Sequence, residues 1–288
     1  KMKSIRIITL AIGMTCAIFA GITNAKDLRI YWGTSGTFGP FNIQGLIPKY
    51  PEAKDVTIPV SMWVIDHPKG LVVYDSGNNI AVETDCASYW GEGLCNFLKP
   101  SQTPETNIRG LLKKLGYTPD DVKVVVSSHS HLDHAGNIEM FPKAIHVFQK
   151  IELYQGWWPE KFQGRTAGSP FVMADLDNAR GFNYLELEGD YDLFGDGTVK
   201  IISTPGHTLG HQSMKVKLPK GGNVLIAQDA IWMQENLDGY PAGLNFSVQE
   251  YTKSLTKLKM MRDIEGIPLY MGHDANQFAN EGGNSWIY

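Results

Sequence analysis

The stretch Ser128-His129-Ser130-His131-Leu132-Asp133-His134-Ala135-Gly136 holds three histidines and one aspartate within six positions. Imidazole nitrogens and carboxylate oxygens are the donors that zinc and similar divalent ions take. The apolar run Val122-Lys123-Val124-Val125-Val126 just before it reads as a buried strand. On an extended continuation His129 and His131 project to the same side, because side chains alternate with a period of two. Asp133 and His134 then fall where the strand stops. The alternative is a solvated histidine-rich loop.

Three distant residues share that placement. His207 follows the apolar residues 199–203, Asp229 follows residues 223–227, and His273 follows residues 267–271. If those segments are strands lying side by side, their ends form one edge. His129, His131, Asp133, His134, His207, Asp229 and His273 then meet there. Seven donors are too many for one tetrahedral zinc and suit two ions sharing a carboxylate.

The elements that must position them alternate between strand and helix patterns, which argues for α/β layers around a buried sheet. Residues 28–32, 60–66 and 71–74 read as strands, the last two joined by the turn His67-Pro68-Lys69-Gly70 and ending at Asp75. Residues 78–102 read as one long connection. Thr103-Pro104-Glu105 is expected to open a helix whose apolar face is Ile108, Leu111, Leu112 and Leu115, with Gly116 ending it. Residues 144–149 read as another strand. Residues 150–185 are less regular and carry Trp157, Trp158, Phe162, Phe171 and Phe182. These aromatics either pack beneath a connection or line an apolar pocket. Residues 213–218 and 223–227 form a second hairpin around Pro219-Lys220-Gly221-Gly222, an echo of the first. Ser247-Val248-Gln249-Glu250 is a capping box, and the helix it starts places Val248, Tyr251, Leu255 and Leu258 on one face.

With 288 residues, 43% hydrophobic and 19% charged, the chain can build a sizeable core. A net charge of −4 argues against a general nucleic-acid binder. Residues 1–25 read as a secretory signal: Lys1, Lys3 and Arg6 precede the uncharged apolar residues 7–22, and Thr23-Asn24-Ala25 ends in a small residue. The segment is short for a membrane span, though an uncleaved anchor is the alternative. Cys16 within it lacks a good lipoprotein context. Without its three basic residues, 23 of the 26 basic side chains remain against 30 acidic ones. The expectation is a periplasmic or secreted protein with one domain over residues 26–288. Cys86 and Cys95, nine positions apart, suit a disulfide in that setting, the alternative being two free thiols.

The order His129-x-His131-x-Asp133-His134, Gly206-His207, Asp229, Gly272-His273 resembles the metallo-β-lactamase superfamily over nearly the whole mature chain. The resemblance implies a four-layer αββα sandwich with a dinuclear site at one sheet edge. It also implies two zinc ions per chain, other divalent metals remaining possible. His129, His131 and His207 would hold one, Asp133, His134 and His273 the other, and Asp229 would bridge. Asp75 matches the strand-end aspartate that orients a metal-ligand histidine from behind. His211 is read as structural or supporting, and His67 and His146 as surface or satisfied residues. Pro205-Gly206-His207-Thr208-Leu209-Gly210-His211-Gln212-Ser213, with Asp229 and Gln234-Glu235-Asn236, looks most like the N-acyl-homoserine lactonases. Those enzymes often carry a tyrosine three residues after the bridging aspartate, where Trp232 stands here. An indole N–H donates a hydrogen bond but accepts none.

The function implied is opening of the lactone ring of N-acyl-homoserine lactones, that is, quorum quenching. A metal-bridging hydroxide would attack the carbonyl, and the ring oxygen would leave onto the other zinc or take a proton through Asp133. Trp232 would hold the carbonyl and Trp157 an apolar acyl chain. The partner is then a small lactone, with no nucleic acid, no stable membrane insertion after signal cleavage, and a homodimer left open. Two competing readings are a phosphotriester (organophosphate) hydrolase of the same superfamily and a non-catalytic metal-stabilised periplasmic binding protein.

Overall fold

The structure is a computed structural model that describes residues 27–157 and 170–288. The expected signal segment, Trp158 and Phe162 lie outside the described residues.

Strand-forming runs build two sheets. In the first, β1 (Arg29–Asn42), β2 (Asp55–His67), β3 (Gly70–Tyr74), β4 (Val122–Val126), β5 (Ile145–Gln149) and β6 (Asn183–Leu187) lie in that order, with β12 (Ser285–Ile287) paired outside β1. The second runs β11 (Leu269–Met271), β10 (Gly222–Gln228), β9 (Gln212–Leu218), β8 (Val199–Ser203), β7 (Tyr191–Asp192). β3 to β6 are mutually parallel. β8 and β10 both run antiparallel to β9, and β11 runs parallel to β10. The C-terminal ends of β8, β10 and β11 therefore share one edge, as do those of β3 and β4.

The period of two sorts each strand's apolar residues onto two faces. Ile30, Trp32, Trp63, Ile65, Val72, Tyr74, Val124 and Val126 pack against Val199, Ile201, Met214, Val216, Val224 and Ile226, forming the core between the sheets. Tyr31, Met62, Val64, Val73 and Val125 face the other way, onto Ile108, Leu111 and Leu112 of the helix Ile108–Leu115. On the far side, Leu225, Ala227 and Met271 meet Leu258 of the helix Val248–Glu265. Helix, sheet, sheet, helix is the expected four-layer αββα order. At the centre Trp32 and Trp63, opposite each other across β1 and β2, stack with centroids 5.0 Å apart. Tyr270 from the second sheet meets both edge-on, at 5.2 and 5.4 Å. Among the described residues no helix is long and apolar enough to cross a membrane.

Several expectations need correction. Residues 78–102 are not one open connection: they fold into the helices Val82–Trp90 and Glu92–Leu98, joined by a disulfide between Cys86 and Cys95. Neither helix is long enough to show a 3.6-residue period, and Gly91, with φ 85°, breaks them apart. The helix expected from Thr103 begins at Ile108, because Asn107 is its cap and accepts from the Gly110 N–H. Thr103 to Thr106 close a separate turn instead. Its carbonyl at Pro104 sits where a Cβ on Gly110 would lie, at 2.2 Å. β1 extends to Asn42 through two register shifts, which glycine-rich sequence conceals. In the helix Val248–Glu265, Ser247 does cap Glu250, and Tyr251 and Leu258 are buried, but Val248 is 61% exposed at the first turn. β6 and β12 were not expected.

Replacing Cys86 and Cys95 together by serine is expected to lower stability by about 2–3 kcal/mol, the loop-closure value for a ring this short. Urea unfolding of the oxidised protein and the variant measures it.

Candidate metal centre

Each functional side chain stands just beyond a strand. Asp75 follows β3, residues 127–134 follow β4, His207 follows β8, Asp229 follows β10 and His273 follows β11. The segment after β4 is not an extended continuation. It turns, with the N–H groups of His134 and Ala135 both bonded to the His131 carbonyl. His129 and His131 project to the same side, with ring centroids 4.4 Å apart, and the turn beyond His131 brings Asp133 and His134 in beside them.

The seven expected ligands do meet, and all are buried. His129, His131 and His207 bring donor atoms within 4.8 Å of one another, as do Asp133, His134 and His273. Asp229 lies between the sets, and its two oxygens divide. Oδ2 faces His207 Nε2 at 3.1 Å and His129 Nε2 at 3.9 Å. Oδ1 faces His273 Nε2 at 3.1 Å and His134 Nε2 at 3.2 Å. Asp133 Oδ2 stands 3.5 Å from His134 Nε2 and 3.7 Å from His273 Nε2.

The opposite nitrogen of four imidazoles is held from behind. His134 Nδ1 bonds Asp75 at 2.7 Å, His129 Nδ1 the Ser128 hydroxyl at 2.9 Å, His207 Nδ1 the Leu244 carbonyl at 2.7 Å, and His273 Nδ1 the Pro59 carbonyl at 2.8 Å. Asp75 also accepts from Ser128 and from Gln228 Nε2. Such partners fix each ring's orientation and leave the other nitrogen free to ligate. His129 Nε2, His134 Nε2 and Asp229 Oδ1 are buried without a hydrogen-bond partner. Unpaired buried donors and acceptors aimed at one another fit a divalent ion in each set, with Asp229 able to reach both.

Charge divides the cluster. Burial, reinforced by neighbouring imidazoles, holds His129 and His131 well below the usual histidine range. They are neutral and ready to ligate. Burial also opposes the charge on His134, but Asp133, Asp229 and Asp75 outweigh it and hold that imidazole well above its usual value. His273 is raised by Asp229 and Asp133 against the same burial. Asp229 is ionised far down the pH scale, because His134, His273 and His207 overcome the cost of burying it.

Other assignments divide as well. His211 packs behind the ligands, its ring 5.2 Å from His129 and its Nδ1 on Thr204 Oγ1 at 2.9 Å. Burial and His207 push it down to about 3. His67 is a satisfied residue within the fold, bonded to Thr198 and to the Lys69 N–H, while His146 is buried with Nε2 on the Phe141 carbonyl and Nδ1 without a partner. Trp232 lies at the centre, with its ring 5.6 Å from His207 and 6.1 Å from His273. Asn236 Oδ1 accepts from the backbone N–H of Trp232 and Met233, and the Trp232 carbonyl accepts from the His273 N–H. Its Nε1 is buried without a partner. Trp157 is elsewhere. It packs edge-on to Tyr184 at 5.1 Å beneath the first sheet, under the Arg180 guanidinium, and is not among the residues lining the cleft at the metal centre. The intermittent aromatic pattern of residues 150–185 carried no sign of which side each ring faces.

That cleft holds about 370 Å³ and opens onto His131, Asp133, His207, Asp229, Trp232 and His273. Its remaining wall is apolar: Phe38, Phe41, Leu46, Ile58, Leu94 and Leu98. Sequence reasoning missed this wall, since it draws on bulged β1 and on the disulfide-joined helices. It also missed Ser128, Gln228 and the two backbone carbonyls behind the ligands.

Comparison with known proteins agrees with the fold. The metallo-β-lactamase superfamily model matches residues 56–263, and the chain belongs to that superfamily of hydrolases. Within it the chain is most like the N-acyl homoserine lactonases. It is 35% identical over 257 residues to the N-acyl homoserine lactonase AttM of Azorhizobium caulinodans, covering 86% of this chain and 94% of that one. To the N-acyl homoserine lactonase of Bacillus thuringiensis it is 28% identical, covering 78% and 84%. Among solved structures, an N-acyl homoserine lactone hydrolase with N-hexanoyl-L-homoserine bound at its catalytic metal centre superposes with a TM-score of 0.74 at 26% identity, covering 86% and 94%.

Because His134 and His273 favour the protonated form, a divalent ion must displace protons to bind them. Zinc uptake by metal-free protein is expected to release protons near neutral pH and to tighten as pH rises. Calorimetric titration in two buffers of different protonation enthalpy reads both effects.

Proposed function

We propose that this protein opens the lactone ring of N-acyl homoserine lactones, using two zinc ions at the metal centre, and so quenches quorum signals outside the cytoplasm. The observation that carries this reading is the division of the Asp229 carboxylate between two ligand sets at the floor of an apolar cleft. Zinc ions in such a pair lower the pKa of water toward neutrality, supply hydroxide and polarise a carbonyl.

The chain's own residues do the rest. Trp232 lines the cleft, its Nε1–H is a buried donor without a partner, and its role in this reading is to hold a substrate carbonyl oxygen. Asp133 is the more exposed of the two central carboxylates. His134 and His273 keep it ionised against the cost of burial. It can take a proton from the attacking water and pass it to the ring oxygen as the acyl carbon–oxygen bond breaks. Phe38, Phe41, Ile58, Leu94 and Leu98 offer the acyl chain a surface and exclude water from it. The Cys86–Cys95 bond supports a site of action in an oxidising compartment.

The deciding experiment incubates zinc-loaded protein with a medium-chain N-acyl homoserine lactone, separates the products by chromatography, and then acidifies them. Ring opening, with the lactone re-forming in acid, is the expected result. An intact lactone beside a cleaved phosphotriester would replace this reading with the organophosphate one. Trp232→Phe keeps the ring and removes the N–H. It is expected to lower kcat/KM for the lactone about tenfold, the effect of one hydrogen bond worth ~1.4 kcal/mol. Steady-state kinetics at fixed zinc content reads it.

A further inference from the structure

The three-histidine half of the centre is built on two loops, one carrying His129 and His131, the other His207. Neither loop is regular structure, and they belong to different sheets. Something must fix their separation. Glu152 lies between them, in the first turn of the helix Lys150–Trp157, with its side chain wholly buried.

Both of its oxygens are used. Oε1 accepts from the Ser130 N–H at 2.8 Å and from the Ser130 hydroxyl at 2.7 Å, on the residue between His129 and His131. Oε2 accepts from the Gly210 N–H at 2.8 Å, three residues beyond His207. One helical turn on, Gln155 accepts from the Leu209 N–H at 3.3 Å. The His207 loop is pressed hard onto this helix. A Cβ on Gly210 would lie 2.5 Å from the Glu152 Cβ and 2.7 Å from its backbone nitrogen, so only glycine allows the approach. Asp75 grips His134 of the opposite half directly and reaches the three-histidine half only through Ser128, on the His129 side.

We infer that Glu152 is a positioning residue that sets the spacing of His129, His131 and His207, and so governs the affinity of one of the two metal positions. Its carboxylate receives hydrogen bonds only, two from Ser130 between two ligands and one from Gly210 in the loop that carries the third. A glutamine at this position has the same shape. Its amide, however, turns an N–H toward either Ser130 or Gly210, where an N–H already points, and one loop must move. This inference rests on the reading that the centre takes two divalent ions.

The test titrates metal-free protein with zinc against a chromophoric chelator. The wild type is expected to take up two equivalents. Glu152→Gln is expected to keep one at wild-type affinity and to bind the other ten- to a hundredfold more weakly. In a His273→Ala background, where the three histidines hold the remaining ion, the same change is expected to weaken the visible cobalt(II) band. Circular dichroism establishes that the variants are folded. Ser130→Ala removes only the hydroxyl contact, and it decides the matter should Glu152→Gln fail to fold. One equivalent is then expected to weaken about fivefold while the other is unchanged. Two equivalents at wild-type affinity in a folded Glu152→Gln, or in Ser130→Ala, would overturn the inference. So would equal weakening of both. Fewer than two equivalents in the wild type would defeat the two-ion reading itself, a result separable from either of these.

Discussion

A carboxylate buried among histidines at the floor of the cleft is the constraint on which this molecule depends. Taking Asp229 out of water costs several kcal/mol, and only close opposite charge or coordination offsets that. Four imidazoles surround it within 4 Å. Two more carboxylates stand in the same cluster, Asp75 behind His134 and Asp133 beside it. The group is therefore stable only when every ring is oriented. Among the ligands themselves only His131 and His207 bond each other, Nδ1 to Nε2 at 3.1 Å, so most of the orientation must be supplied from outside the cluster. It comes from behind, from Asp75, Ser128 and the carbonyls of Pro59 and Leu244.

Those backing groups explain why two sheets are needed. Pro59 lies in β2 of the first sheet, yet it holds His273 at the end of β11 in the second. The stacked core reaches the same place. Trp32 Nε1 donates to Ser61 Oγ, and Ser61 donates to the carbonyl of Gly272, next to His273. Packing between the sheets is thereby transmitted to a ligand. The strand ends carry local strain as well. Asp75 and Gln228 both have positive φ, 61° and 47°, and are bonded to each other through Gln228 Nε2. Non-glycine residues held in that region cost on the order of 1–3 kcal/mol. Here the cost falls on the two strand ends that deliver Asp75 and Asp229 to the cluster.

The ligand set was legible because its residue types are rare together and each stands where an apolar run stops. His129 and His131 share a side as their spacing suggests, but the turn beyond His131 that brings in Asp133 and His134 left no mark in residue types. What could not be read has a common physical origin. Backbone carbonyls leave no trace in side-chain types, so Pro59 and Leu244 carried no signal. Glu152, one carboxylate among thirty acidic residues, differs from a surface glutamate only by what folds over it. The helices Val82–Trp90 and Glu92–Leu98 are too short for periodicity, and β6 and β12 owe their form to pairing at sheet positions, as expected where tertiary context overrides propensity. Trp157 was misplaced for the same reason, since an aromatic residue marks burial but not the side of the sheet it is buried on.

The chemistry and the choice of substrate are thus encoded in different kinds of structure. The ligands stand on or just beyond the ends of paired strands, whose register fixes where each loop departs. The cleft wall sits on irregular chain. Phe38 and Phe41 flank a register shift in β1, and Leu46 lies just past the short turn Ile43–Gly45. Leu94 and Leu98 belong to a seven-residue helix fastened by a disulfide. A bulge re-aims side chains without disturbing the rest of a sheet. A stapled surface helix can move its apolar residues without touching a ligand. Phe41 meets Phe97 of that helix at 5.3 Å, and Phe38 meets Trp90 at 6.0 Å, so the two parts of the wall pack against each other before either meets the metal centre. The wall and the ligands rest on separate segments, and they touch at Leu132 and Trp232. Asn236 and the His273 N–H hold the Trp232 backbone, and its ring forms part of both the aromatic wall and the floor of the cleft.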